Sequence, residues 1–103
     1  MNSIPIDRTS VEAALERLIE LAMSDTGQAR RAANFLLAWW NGDDHGHFDI
    51  SHLFGVDASV AADITTVIGY LGQHSGAIYI DAFGHQAEIA EIGRRWRATP
   101  ETA

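Results

Sequence analysis

Arg30-Arg31-Ala32-Ala33-Asn34-Phe35-Leu36-Leu37-Ala38-Trp39-Trp40-Asn41-Gly42-Asp43-Asp44-His45-Gly46-His47-Phe48-Asp49 is an almost wholly apolar stretch running into a loop of acids and histidines. At 100° per residue Ala29, Ala32, Ala33, Phe35, Leu36, Leu37, Trp39 and Trp40 cover roughly 200° of a helical wheel. A helix that apolar must be covered on several sides, so it predicts the centre of a helical core. Its expected span is Gln28 to Asn41, capped by Asp25 or Thr26, with Gly42 in the left-handed position past its end. Trp39 and Trp40 are neighbours and cannot face the same way. One is expected in the core and the other at a margin where its indole N–H finds a partner.

The flanking sequence repeats this pattern. Upstream, Val11, Ala14, Leu15, Leu18, Ile19, Leu21 and Ala22 share a face over Ser10–Ser24, and Thr9 with Glu12 reads as a capping box. Glu12, Glu16 and Glu20 form an acidic ridge opposite, which Arg17 relieves in part. Downstream, Asp49 is positioned to cap a short helix, Ile50 to Phe54. Asp57 is positioned to cap a longer one, Ala58 to Leu71, with Val60, Ala61, Ile64, Val67, Ile68 and Leu71 inward. Gly69 weakens that helix by up to ~1 kcal/mol relative to alanine.

Ala77-Ile78-Tyr79-Ile80-Asp81 alternates weakly, but no second strand is available to pair with it. It is expected to be an extended connector burying Ile78 and Ile80. A last helix, His85 to Arg97, carries Ile89, Ile92 and Trp96, with Glu91 and Arg95 as an i,i+4 pair. The fold class is therefore all-α: a compact bundle of four helices plus one short helix, with the extended connector before the last one. Residues 1–103 form a single domain, with 1–8 and 98–103 expected as loose tails.

The 103 residues hold no cysteine, which excludes disulfides, thiolate metal sites and a cysteine nucleophile. The longest apolar run, Phe35 to Trp40, is six residues, far below the ~20 a membrane helix needs. The first eight residues lack a basic segment followed by an apolar run, which predicts no signal peptide and a cytoplasmic location. Net charge is −7, and between residues 32 and 93 there are eight acids and no base. Such a body repels nucleic acid and favours a basic protein partner or cations. The one basic patch in prospect is Arg94, Arg95 and Arg97, joined across helices by Arg30 and Arg31.

Asp43 to His52 gathers three imidazoles and three carboxylates in ten residues. His45 and His47 would lie on one side of an extended loop, and His52 one turn into the next helix. With Asp49 they would suit Zn²⁺ or Ni²⁺, although the spacing matches no established metal motif. Without a metal, Asp43, Asp44 and Asp49 read as turn and capping residues. Ser51 beside His52 has no nucleophile elbow around it, and Gly42 and Gly46 lack the spacing of a phosphate-binding loop. Nothing here predicts an enzyme or a required cofactor.

Taken together, Arg30 to Trp40, Phe48-Asp49-Ile50, Leu53-Phe54-Gly55-Val56-Asp57 and Arg94-Arg95-Trp96-Arg97 resemble an uncharacterised family of small proteobacterial proteins. Its members are often carried near plasmid and integrative-element genes, and the resemblance spans roughly residues 10–97. It implies a bacterial accessory protein and supplies no activity and no site residues. The expected function is non-enzymatic: an acidic helical protein acting through protein contacts, as an accessory or inhibitor protein of a mobile element. Its expected surface is Trp39, Trp40, Asp43, Asp44 and Phe48, an aromatic anchor ringed by acids. The alternative is a metal-binding protein using His45, His47, His52 and Asp49. A dimer is a further expectation, because the apolar helix has more surface than four short helices cover.

Overall fold

Asp7 starts the first helix. In the computed structural model, which describes residues 5–97 apart from the side chains of Asp44, His45 and Arg97, its carboxylate accepts from the Ser10 N–H at 2.7 Å. Helix α1 then runs Arg8–Ala22. The capping box expected at Thr9 and Glu12 does not form. Thr9 already lies inside α1, and Glu12 pairs with Arg8 at 2.9 Å. Residues 5–8, expected to be loose, are anchored. The Ile6 N–H donates to Gln73 Oε1 at 2.9 Å, and the Ile6 side chain lies so close to Gly69 that an added Cβ would sit 2.5 Å from Cδ1. Gly69 thus trades helix propensity for room. The expected tail at 98–103 lies outside the described residues.

Helix α2 spans Gly27–His45, and Thr26 caps it by accepting the Ala29 N–H at 3.1 Å. Ala29, Ala32, Ala33, Phe35, Leu36 and Leu37 are buried. Helix α3 spans Ala58–Gln73, two residues past the expected end. Asp57 stands at its N-cap but makes no capping bond with its side chain, which accepts from Gln28 Nε2 at 3.2 Å. Ile64 and Val67 point inward as expected, whereas Ile68 is 40% exposed. The stripe is narrower because α3 packs chiefly on α1. Helix α4 spans Gln86–Arg97, with Ile89 and Ile92 buried against the rest.

Two short 3₁₀ helices complete the chain, Ile50–Gly55 and Ile80–Phe83. The second replaces part of the expected extended connector, and Ile80 is buried as expected. The described residues contain helices and no strand, so the all-α bundle holds. Helix α1 packs between α2 and α3, and α4 lies on α2. Arg17 does not answer the acidic ridge of its own helix; it makes a two-pronged contact with Asp63 on α3 at 2.9 and 3.0 Å. The last turn of α4 closes the end of α1. The Trp96 indole donates to the Ala22 carbonyl at 2.8 Å and Arg95 donates to the Met23 carbonyl, occupying carbonyls that a helix end leaves without partners.

Candidate functional site

The far end of α2 carries the densest chemistry. The helix breaks at Asn41, whose φ −163° and ψ 91° are extended, and one further turn follows from Gly42 to His45. Gly46, at φ +89°, takes the left-handed position expected of Gly42, and its N–H donates to the Gly42 carbonyl at 2.9 Å. That reversal lays His47 back over Gly42, where an added Cβ would meet Nδ1 at 2.9 Å. The two glycines therefore serve different ends, since Gly46 turns the chain and Gly42 admits the imidazole.

The turn borders a cleft of about 540 Å³ lined by Ala38, Trp39, Trp40, Asn41, Gly42, Asp43, His47, Tyr79 and Asp81. Both indoles are half-buried, so the core-and-margin division expected of the pair is shared. Trp39 is fixed by its indole N–H, which donates to the Ile78 carbonyl at 2.9 Å, and by an edge contact to Phe83 at 5.7 Å. Trp40 spans the cleft and a small adjoining space of about 30 Å³ beside Ile80 and Ile89. Tyr79 is 57% exposed. Among the described residues no arginine or lysine lines the cleft.

Of the residues the sequence singles out, Trp39, Trp40 and Asp43 meet here. Phe48 does not: it is half-buried and turned inward, edge-on to Phe35 at 5.4 Å and to His52 at 5.4 Å. Its role is packing the loop onto the core. The side chains of Asp44 and His45 lie outside the described ones. Asp49 caps the first short helix: its Oδ1 accepts from the Ser51 N–H at 2.9 Å and the Ser51 hydroxyl at 2.8 Å. Those bonds, backbone first, hold its carboxyl below the usual carboxylate range.

The expected metal ligands are divided. His47 faces the cleft, whereas His52 lines a different cavity near the start of α2. Among the described residues no three His, Asp or Glu side chains gather as a metal-holding set. His85, expected as the first residue of α4, instead precedes that helix at φ +66° and lies 3.9 Å from Glu88.

Tyr79 and Asp81 are the cleft residues that the sequence reading misses. The signal was present. If Ile78 and Ile80 face inward from an extended segment, Tyr79 and Asp81 face the other way. What the sequence withholds is that this segment docks beside the Trp pair.

A family model described as a family of unknown function (DUF7673) matches residues 12–97. No curated protein and no solved structure matches the chain.

Proposed function

The chain belongs to this family of unknown function, and because the family brings no activity with it, we propose a function from the cleft. It is a non-enzymatic acidic protein that works through protein contacts, taking an arginine- or lysine-bearing segment of a partner between Trp39, Trp40 and Tyr79. The observation that carries this reading is the lining itself: the aromatic side chains Trp39, Trp40 and Tyr79 and the carboxylates Asp43 and Asp81, beside His47, with no arginine or lysine among the described residues there. A guanidinium on such an aromatic surface gains about 0.5–2 kcal/mol, more as it is desolvated. The carboxylates add steering and register. The cleft lies at the carbonyl end of α2's main helical run, whose partial negative charge also favours a cation.

The setting follows from the resemblance in the sequence: a cytoplasmic bacterial accessory protein of a mobile element. One form of that role is inhibition, with Asp43 and Asp81 presented to a nucleic-acid-handling enzyme where phosphates would lie. Among the described residues no helix is long and apolar enough to cross a membrane.

The test is calorimetric titration with an arginine-rich peptide at low and high salt. Wild type binds more weakly as salt rises. The D43N/D81N variant binds about tenfold more weakly at low salt, equivalent to ~1.4 kcal/mol, and responds less to salt. Equal affinity of the two proteins in both salts would remove the reading.

A further inference from the structure

Among the described side chains, most arginines are paired with an acid. Arg8 pairs with Glu12, Arg17 with Asp63, and both Arg94 and Arg95 with Glu91. Glu91 thereby ties up the basic patch expected at the end of α4. Among the described arginine side chains, Arg30 and Arg31 are the two outside any ion pair. Both line one cavity of about 440 Å³ at the start of α2, together with Gly27, Asn34 and His52.

This cavity is constructed from more than the helix end. Arg31 is held by a bond from Nη1 to the Gly55 carbonyl at 3.4 Å. Its guanidinium crosses Gly55 so closely that a Cβ there would lie 2.6 Å from Nε, so a side chain at that position would push the guanidinium aside. His52 is seated edge-on against Phe48, and its Nδ1 is buried without a hydrogen-bond partner. A buried polar nitrogen left unpaired is costly. Two nearby carboxylates are already engaged: Asp49 caps Ser51, and Asp57 takes Gln28. The positive end of the α2 dipole opens at Gly27 on the same wall.

We propose that this pocket binds a phosphate monoester, its phosphoryl group held between the Arg30 and Arg31 guanidinia. Asn34 and His52 stand beside them as further polar contacts. Two planar cationic forks suit a dianion with several oxygens better than a single carboxylate. The ligand is small, because the −7 net charge opposes a phosphate polymer. The pocket is independent of the cleft at the other end of α2.

The experiment is an amide NMR titration at fixed ionic strength, first with inorganic phosphate and then with glycerol 3-phosphate. Saturable shifts centred on Gly27, Arg31, Asn34 and Gly55 are expected with the monoester, with or without a response to phosphate. R30Q, at an exposed residue, should retain the fold and weaken binding about tenfold, and R31Q should do the same. R8Q, which breaks a pair elsewhere, should leave the affinity unchanged. No saturable shift with either probe would overturn the proposal. So would equal binding by R30Q, or shifts spread equally over Arg94 and Arg95.

Discussion

Gly42 and Gly46 stand four residues apart and tolerate a methyl group differently. At φ +89° an alanine in place of Gly46 is strained whatever space surrounds it, so Gly46→Ala is expected to cost about 1–2 kcal/mol in chemical denaturation. Gly42→Ala meets the exposed His47 ring instead. It should leave stability within about 0.5 kcal/mol while moving the His47 ring signals in NMR. Burial separates apolar residues just as sharply. Leu36→Ala, from a fully buried side chain, is expected to cost about 2–5 kcal/mol. Phe54→Ala, from one that is 89% exposed, should stay within about 0.5 kcal/mol. The sequence marks Leu36 clearly, since it sits mid-stripe. It cannot mark Gly46 over Gly42, because either glycine ends a helix equally well. Only the extra turn after Asn41 decides between them.

Helix starts were partly legible. Thr26 and Asp49 cap as their positions suggest, and Thr26→Ala should cost about 1 kcal/mol. Asp7 displaces Thr9 because it reaches Ser10 directly and lets α1 begin earlier. Asp57 occupies a capping position, but Gln28 across the fold offers its carboxylate a better partner. Such competition depends on tertiary contacts that no local pattern contains. The caps and the α4 pair also set a pH dependence. Ser10, through its hydroxyl and N–H, holds the Asp7 carboxyl below the usual range. The Arg94 guanidinium, helped by Arg95, does the same for Glu91, and Ser51 does so for Asp49. Carboxyls depressed in the folded state stabilise it above their unfolded values and lose that contribution as pH falls through the folded ones. The melting temperature should therefore be flat near neutrality and fall below about pH 4. D7N should start lower at neutral pH and fall less steeply.

At the scale of the molecule, α2 joins two cavities of opposite character. One, at its amino end, gathers Arg30 and Arg31. The other, at the carbonyl end of its main run, gathers the indoles with Asp43 and Asp81. The helix dipole reinforces both signs. The all-α class was readable because apolar spacing recurs through four segments. The site was readable only in part, because Tyr79 and Asp81 reach it through chain folding and Phe48 is drawn inward by Phe35. The apolar surface of α2 that suggests a dimer is largely covered within the chain by α1 and α4. The three tryptophans provide built-in reporters of the cleft. Trp39 and Trp40 line it, whereas Trp96 is tied to the end of α1. The measurement is a titration of ¹⁵N-labelled protein with the arginine-rich peptide, following the three indole N–H signals. The Trp39 and Trp40 signals should shift together and saturate, with Trp96 unmoved. A saturating shift at Trp96, or binding that leaves the Trp39 and Trp40 signals in place, would show that the cleft is not where a basic partner docks.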